Sequence, residues 1–347
     1  MKAYQEIHEA LSQNKNVLLL SSWRTEESNR PMVITQVVKE WDPALASEEW
    51  EKEVASQGKP VIIEADGMTT MAEPFYPEER LIVLGGGHVA LPVVEFAARC
   101  GFSVTVVDDR PEFANEERFP WAKEVVCAGF EEAIRQLKPT HDDYVCVITR
   151  GHRFDTLCLR AVLECEEPGY YGMIGSRRHV AVVKEQLLSE GFPQEVLDRL
   201  HSPIGLKIGG ITPAEIAISI VAELISAKRQ GRGSKGLRHQ SDLDYEVVEA
   251  LAGETKEPMA VLTVIRSEGS SPRGAGAKMI AYADGRMLGS IGGGGGEAIM
   301  LKKARNMIGT GTSMVAHIEM NAQTAYEEGM VCGGNMDVLI QDVSADK

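Results

Sequence analysis

The sequence predicts an α/β protein that combines a doubly wound parallel-sheet domain with a smaller α+β domain. Between residues 78 and 230, short and almost continuously apolar runs alternate with amphipathic helical segments. This alternation is typical of a parallel sheet whose two faces are covered by helices. From residue 241 to residue 347, β-rich runs and two helical segments indicate a separate α+β domain. Residues 231–240 are rich in glycine and basic residues, and we predict a linker there.

Hydrophobic periodicity predicts the individual elements. In the parallel-sheet domain, apolar runs predict five strands, at 80–85, 103–108, 123–128, 143–149 and 169–175. Amphipathic spacing predicts helices at 88–100, 155–166 and 212–230. The last helix should begin at Pro213, with Thr212 as its N-cap and Glu215 as the capping-box residue. In the α+β domain we predict strands at 259–267, 277–283, 313–320 and 336–343 and a helix at 297–308.

Residues 1–77 form a further α+β segment, which we interpret as a degenerate copy of the domain at 241–347. Residues 3–24 parallel residues 244–266, because each stretch has an amphipathic helix containing Glu-Ala-Leu, a polar break and a strand. Short helix–strand matches of this kind also arise by chance. The segment lacks the glycine motifs described below, so we assign it a structural role.

The charge balance excludes several classes of protein. The chain has 347 residues, with 36 Lys and Arg against 51 Asp and Glu, and its formal net charge is −15. So acidic a chain is unsuited to general binding of nucleic acids or anionic membranes. The first residues show no secretory signal, and the most apolar stretch, 214–227, is too short and too charged to span a bilayer. We therefore expect neither a nucleic-acid partner nor a membrane partner.

Cysteine spacing indicates the cellular compartment. The six cysteines form no C-x-x-C pair, and most of them lie in apolar runs. We interpret them as reduced, buried thiols of a cytoplasmic protein rather than as a disulfide framework or a zinc site. We assign no metal ligands.

A glycine motif follows the first strand of the parallel-sheet domain. Gly85, Gly87 and Ala90 fit the pattern G-x-G-x-x-A at a strand–helix turn, and Asp108 follows Gly87 by 21 residues. In a Rossmann-like domain such glycines let backbone N–H groups approach a pyrophosphate, and the acidic residue binds a ribose. The alternative is a Rossmann-like core whose glycines only permit tight packing. Arg110 could meet a phosphate instead, so the nucleotide, NAD(P) or another, stays open.

Polar residues also follow two later strands, in ITRGHRFD (148–155) and MIGSRRH (173–179). Ligands of open α/β sheets bind at the carboxyl ends of the strands, and guanidinium groups there suit a phosphate. The predicted binding residues are Arg150, His152, Asp155, Ser176, Arg177 and Arg178. We interpret the neighbouring Arg153 and His179 as solvated loop residues.

The last domain contains two glycine-rich loops and an isolated cysteine. GSSPRGAGAKM (269–279) joins two strands, and GSIGGGGGE (289–297) precedes a helix that should begin at Glu297. Glycines without side chains let backbone amides lie against a bulky or anionic ligand. Cys332 lies between apolar residues and paired glycines, where a thiolate could bind a metal or sulfur, although a lone cysteine is more often a buried hydrophobe. The predicted ligand-binding residues are Ser270, Ser271, Arg273, Gly292, Gly293, Gly294, Glu297 and Cys332.

Taken together, these motifs resemble the xanthine dehydrogenase accessory factor family of the XdhC/CoxI type. RLIVLGGGHVA, TRGHRFD, GSRRH and TPAEIAISIVAE resemble its Rossmann domain, whereas GSSPRGAGAKM, GSIGGG and CGG resemble its small domain. The resemblance implies a cytoplasmic, typically dimeric chaperone that binds molybdenum cofactor. Such a chaperone supports sulfuration of the cofactor with a cysteine desulfurase and delivers it to the apo-enzyme of a molybdenum hydroxylase, without catalytic turnover of its own.

Two features depart from the family pattern. The intact small domain follows the Rossmann domain, an arrangement that resembles the branch associated with selenium-dependent molybdenum hydroxylases. Gly295 stands where the family usually has a cysteine, which leaves Cys332 as the candidate thiol.

Three functional hypotheses remain at this point. The first is a cofactor-binding maturation factor. The second is an NAD(P)-dependent oxidoreductase that uses the glycine motif, with His152 as proton donor. The third is a nucleotide-sensing or scaffolding protein.

Overall fold

The structure, a computed structural model, describes residues 2–24, 31–230, 243–253, 257–269, 273–320 and 334–344, with the side chains of 319 and 320 excepted. The chain divides into two compact units. One unit contains Met1–Pro77 together with His239–Lys347, and the other contains Glu78–Arg238. The predicted linker at 231–240 and the site residues Ser270, Ser271 and Cys332 lie outside the described residues.

The N-terminal half of the first unit contains a four-stranded antiparallel sheet with strand order β2-β1-β4-β3. A short 3-10 helix at Pro43–Leu45 precedes the second α-helix. The elements of this half are α1 (Lys2–Ser12), β1 (Val17–Arg24), β2 (Ile34–Lys39), α2 (Glu49–Gln57), β3 (Val61–Ala65) and β4 (Met68–Phe75).

The second unit is a Rossmann-like domain, which confirms the predicted fold class. Its five parallel strands have the order β7-β6-β5-β8-β9, so the chain reverses direction across the sheet between β5 and β8. The strands are β5 (Glu79–Leu84), β6 (Phe102–Asp108), β7 (Glu124–Cys127), β8 (Tyr144–Val147) and β9 (Tyr170–Met173). The helices are α3 (Ala90–Arg99), α4 (Phe130–Leu137), α5 (His152–Leu163), α6 (Arg177–Ser189), α7 (Gln194–Arg199) and α8 (Pro213–Gln230).

The apolar strands of this domain bury both of their faces. Leu81 and Val83 of β5 lie in one core with α3 and α8, whereas Ile82 and Leu84 lie in a second core with α4, α5 and α6. Because successive side chains of a strand point to opposite faces, a strand covered on both sides must be apolar at every position.

The capping box predicted for α8 is confirmed. Glu215 Oε2 accepts hydrogen bonds from the N–H groups of Ile211 and Thr212, and Thr212 Oγ1 accepts one of 3.3 Å from the N–H of Glu215. These contacts fix the start of the helix at Pro213.

The C-terminal half of the first unit contains a five-stranded sheet of order β12-β11-β10-β14-β13, in which neighbouring strands are antiparallel. Its last helix begins at Gly294, three residues before the predicted start. The first turn was not predicted, because glycine has a low helix propensity. The elements are α9 (Tyr245–Ala252), β10 (Met259–Gly269), β11 (Lys278–Tyr282), β12 (Met287–Gly289), α10 (Gly294–Met307), β13 (Ser313–Met320) and β14 (Gly334–Asp342).

The two halves of the first unit have the same topology. The order β2-β1-β4-β3 corresponds to β11-β10-β14-β13, and each half has one helix before its first strand and one helix between its two strand pairs. A shared core joins the halves through matching elements, since β1, β4, β10 and β14 contribute Trp23, Met71, Ile265 and Leu339. This correspondence supports an internal duplication.

Burial of the thiols differs from the prediction at two positions. Cys146 and Cys158 are buried, and burial raises the pKa of both thiols. Cys100 and Cys127 are exposed, so the prediction of buried thiols is wrong for them. Cys100 ends α3, and Cys127 ends the edge strand β7, where fewer elements cover the chain.

Candidate functional site

The glycine turn between β5 and α3 packs against its own domain. A Cβ atom at Gly85 would lie 2.3 Å from the carbonyl oxygen of Ile148, and one at Gly86 would lie 2.0 Å from that of Phe113. A Cβ atom at Gly87 would have no heavy atom within 4 Å. Glycine is therefore required at the first two positions by close backbone approach within the protein.

Asp108 and Arg110 bind each other at the end of β6. Asp108 is 1% exposed, and its Oδ2 accepts a hydrogen bond of 2.8 Å from the N–H of Gly86. The Arg110 guanidinium donates to both carboxylate oxygens, at 2.8 and 3.0 Å. This pairing raises the pKa of Arg110, chiefly through its hydrogen bond to Asp108.

This arrangement favours packing over coenzyme binding. The carboxylate predicted to bind a ribose is buried and satisfied by Gly86 and Arg110, and the guanidinium considered for a phosphate is held by that carboxylate. Gly85 and Gly86 are fixed by packing within the domain, whereas Gly87, the position at which a Rossmann turn lets a pyrophosphate approach, has open space around it. A nucleotide at this turn therefore stays a prediction.

Arg150 is anchored at the same edge of the sheet. Its guanidinium forms a bidentate ion pair with Asp109 and lies 3.9 Å from the ring centroid of Phe154. The hydrogen bond from Arg150 holds the pKa of Asp109 below its usual range. Beside this pair lies a cavity of about 250 Å³, lined partly by Phe130, Glu131 and Glu132. The carboxylates of this cavity disfavour a phosphate.

His152, Asp155 and His179 come together at the carboxyl edge, between β8 and β9. His179 Nε2 lies 3.0 Å from His152 Nδ1 and 2.9 Å from Asp155 Oδ2, and the second carboxylate oxygen accepts a hydrogen bond of 2.5 Å from Thr149. Asp155 and His179 are buried, whereas His152 is exposed.

Sequence reasoning placed His179 wrongly in a solvated loop. It lies in the first turn of α6, where its N–H donates to the N-cap oxygen of Ser176 at 3.2 Å. The structure also starts α5 at His152 rather than at residue 155, which places His152 and Asp155 on one helical face. The sequence contained a signal for this cluster. The spacing H-x-x-D follows one strand and a histidine follows the next, and the carboxyl ends of both strands lie at the same edge of the sheet.

Two predicted arginines remain at the surface. Arg177 and Arg178 open α6 and are exposed. They directly precede the buried His179 in the first turn of this helix.

The glycine loop before α10 is organised by Glu297. Its Oε2 accepts hydrogen bonds from Ser290 Oγ at 2.7 Å and from the N–H groups of Ile291 and Gly293, both at 3.0 Å. Glu297 is 9% exposed. The loop itself therefore occupies the oxygen that was expected to face a ligand.

The outer face of this loop is open. Gly293 and Gly294 are exposed, have φ angles of 72° and 68°, and would leave a Cβ atom without a heavy-atom neighbour within 4 Å. Gly292 also has a positive φ, of 135°. Since α10 begins at Gly294, the N–H groups of its first turn have no partners within the helix. Arg273 is half-buried.

Comparisons with known proteins identify both domains. Residues 81–224 match the model of the XdhC Rossmann domain, and residues 252–319 match the model of the XdhC and CoxI family. The chain belongs to the XdhC and CoxI family. In this family member the Rossmann domain precedes the small domain, as the motif order predicts.

Two curated relatives match parts of this XdhC-family chain. It is 32% identical over 170 residues to the Uncharacterized protein YqeB of Escherichia coli (strain K12), a match that covers 49% of this chain and 31% of the relative. It is also 32% identical over 154 residues to a probable xanthine dehydrogenase subunit from Bacillus subtilis (strain 168), with 44% of each chain covered. The chain thus spans less than half the length of these curated relatives.

A solved structure is also similar to this XdhC-family chain. It is described as a xanthine dehydrogenase from Bacillus halodurans, is 29% identical, and aligns with a TM-score of 0.49 over 70% of this chain and 66% of that chain. Among the residues described for our chain, none of the helices has the length and apolar character needed to cross a membrane.

Proposed function

We propose that this protein is an accessory factor that binds molybdenum cofactor and supports the maturation of a molybdenum hydroxylase of the xanthine dehydrogenase type. Membership of the XdhC and CoxI family supports an accessory role. The observation that carries the proposal is the open glycine turn at the start of α10. In this proposal the cofactor is cargo, which the protein must bind and then release.

The chemistry of the glycine turn suits this cargo. Molybdenum cofactor combines a flat, amide-rich pterin with a phosphate. The exposed Gly293 and Gly294 allow a flat ring to approach the backbone, because no side chain stands in the way. The N–H groups of the first helical turn have no partners within the helix, and such groups favour an anion such as the phosphate. Glu297 contributes by accepting hydrogen bonds that fix the conformation of the loop.

The finer steps belong to the same proposal. A cysteine desulfurase would supply sulfur, and the protein would act as a cytoplasmic homodimer that hands the cofactor to the apo-enzyme. Gly295 lies in the first turn of α10, where it offers no thiol, so Cys332 is the proposed sulfur-handling residue. A link to selenium-dependent hydroxylases stays a prediction from the motif order.

A binding experiment with two matched glycine variants tests the proposal. The full chain is incubated without oxygen with cofactor released from a molybdoenzyme, then desalted, and the bound pterin is measured by fluorescence after oxidation. We expect near-stoichiometric binding, reduced about 10-fold or more by Gly294→Val, which places a side chain on the open face.

The control is Gly285→Val. Gly285 also has a positive φ, of 96°, and open space around it, but its carbonyl contacts Arg305 in the last part of α10. Both variants therefore place a valine at a position with positive φ, one at the start of α10 and the other close to its end. Absence of binding to the native chain, or an equal loss in both variants, would contradict the proposal.

A further inference from the structure

The cluster of His152, Asp155 and His179 presents three metal-ligand atoms to one another. These atoms, two imidazole nitrogens and one carboxylate oxygen, all lie within 4.8 Å of each other. We infer that they form a binding site for one divalent first-row transition-metal ion. This inference goes beyond the proposed function and does not depend on the binding of molybdenum cofactor.

The hydrogen bonds of the cluster leave one close contact, between the two ring nitrogens, without a proton of its own. Nε2 of His179 lies close to both His152 Nδ1 and Asp155 Oδ2. A ring nitrogen carries either one proton or one lone pair, so a well-formed hydrogen bond serves only one of these contacts. If Nε2 of His179 donates its proton to Asp155, no proton points from Nε2 towards His152 Nδ1. A metal ion instead attracts all three atoms at once.

The separations within the cluster indicate the coordination geometry. Two ligands on bonds of about 2.1 Å lie about 3.0 Å apart at a right angle and about 3.4 Å apart at the tetrahedral angle. The observed separations are 3.0 and 2.9 Å. These two separations fit neighbouring positions of an octahedral ion better than those of a tetrahedral one, and the third, between His152 and Asp155, is within 4.8 Å.

The surroundings of Asp155 support a ligand role. Oδ2 faces the histidines, whereas Oδ1 is held by the hydroxyl of Thr149 at 2.5 Å. Hydrogen bonds of this kind orient metal ligands and keep a carboxylate monodentate. The carboxylate is also buried, and its hydrogen-bond partners among the described residues are Thr149 and His179. A buried anion of this kind is stabilised by a neighbouring cation.

Both histidines lie at the starts of helices that follow neighbouring strands. His152 is the first residue of α5, and His179 lies in the first turn of α6. Because His152 is exposed, the remaining coordination positions would face solvent and admit water or an oxygen ligand.

The donor set selects the kind of metal. Two imidazoles with one carboxylate suit manganese(II), iron(II), cobalt(II) or nickel(II), whereas calcium and magnesium prefer oxygen ligands alone. Two histidines and one carboxylate that leave open positions are the ligand pattern of non-haem iron(II) sites.

Cobalt(II) is the probe for the test. The full chain, without an affinity tag and freed of metal by a chelator, is titrated with cobalt(II) by calorimetry, and the visible spectrum is recorded. We expect one ion per chain with the weak absorption of an octahedral complex. His152→Ala and His179→Ala should each weaken binding about 10- to 100-fold, and Thr149→Val should also weaken it.

The control is His141→Ala. His141 is an exposed histidine 2.7 Å from Glu166 and 3.2 Å from Asp142, so it resembles an adventitious surface site. His152 is exposed, and its replacement should leave thermal unfolding unchanged, so a loss of binding there does not reflect misfolding. The inference is overturned if the native chain binds no cobalt(II) stoichiometrically, or if His141→Ala reduces binding as much as His152→Ala.

Discussion

Lys278 and Glu73 form an ion pair of 2.8 Å that is buried between the two halves of the first unit. Glu73 belongs to β4 of the N-terminal half and Lys278 to β11 of the C-terminal half. Their side chains are 3% and 1% exposed, and Thr263 Oγ1 accepts a further hydrogen bond from Lys278 at 3.3 Å. The pair therefore ties the duplicated halves together at a point where an unpaired charge would be costly.

Removal of one partner should destabilise the protein strongly. We expect Lys278→Met to lower the free energy of unfolding by about 3–5 kcal/mol, because Glu73 is left buried without its counter-ion. The double variant Lys278→Met with Glu73→Leu should recover much of this loss. Urea unfolding measures both values, and equal stability of the single and double variants would contradict the prediction.

A surface ion pair provides the comparison for this experiment. Arg286 pairs with Glu257 at 2.8 Å, and both side chains are more than half exposed. Arg286→Ala should leave the urea midpoint almost unchanged, since solvent screens the pair.

Neighbouring glycines of the turn after β5 should differ in their tolerance of alanine. Gly86→Ala should lower the free energy of unfolding by about 2 kcal/mol or more, because its methyl group would overlap the carbonyl of Phe113. Gly87→Ala should change it by less than about 1 kcal/mol, because nothing lies within 4 Å. Thermal unfolding compares the two variants. Similar losses in both would show that the packing account of this turn is mistaken.

Loss of the Glu297 carboxylate should loosen the glycine loop even without a ligand. We expect the amides of Ile291 and Gly293 to exchange hydrogen about 10-fold faster or more in Glu297→Ala, because both donate to Oε2. Amides of β11 should be unaffected. Hydrogen exchange followed by mass spectrometry or NMR gives the rates. Unchanged exchange at Ile291 would mean that Glu297 does not hold the loop.

Glu223 should contribute stability that depends on pH. Burial raises the pKa of its carboxyl, but hydrogen bonds from His201, Gly205 and Tyr170 outweigh this and hold the pKa below the ordinary 4.5. A folded-state pKa below the unfolded one stabilises the protein above about pH 4.5, and this stability is lost as the pH falls through the folded value.

The corresponding variant is Glu223→Gln. At neutral pH it should be less stable than the native chain by about 1–3 kcal/mol, and the difference should shrink as the pH falls below about 4.5. Urea unfolding at a series of pH values measures this difference. Glu249→Gln, at an exposed position of α9, is the control and should follow the native curve. A difference that stayed constant with pH would argue against the role of the charge.

Thiol reactivity should separate the described cysteines into two classes. Cys100 and Cys127 are exposed and should be alkylated in the native protein within minutes, whereas the buried Cys146 and Cys158 should react only after unfolding. Peptide mapping after iodoacetamide treatment distinguishes them. Rapid modification of Cys146 in the folded protein would be inconsistent with its position inside the sheet.

The Rossmann-like domain was predictable because its signals are local. Apolar runs such as RLIVLG mark strands buried on both faces, and the capping box of Thr212 and Glu215 marks a helix start. The motifs likewise predicted the family, because they are short and can be recognised without tertiary contacts. Short elements were harder. Strand β12 has three residues, and the first turn of α10 consists of glycine, so neither has a periodic signal.

The contacts of the candidate site residues were not predictable from local patterns. The pairing of Asp108 with Arg110 depends on how the chain turns after β6, and spacing alone suggested that both side chains face a ligand. The burial of His179 depends on the packing of α6 beside α5, which no single segment encodes. Tertiary contacts thus decided which polar residues of the sheet edge serve the fold and which are available for binding.

The two halves differ at corresponding helix starts. Helix α2 opens with acidic residues, and Glu51 Oε2 accepts hydrogen bonds from the N–H groups of Ser47 and Glu48. Helix α10 also has a carboxylate in its first turn, since Glu297 Oε2 accepts hydrogen bonds from the N–H groups of Ile291 and Gly293, but this helix opens with glycines. The two helix starts thus share a carboxylate that fixes the preceding loop, and only the second leaves its opening residues without side chains.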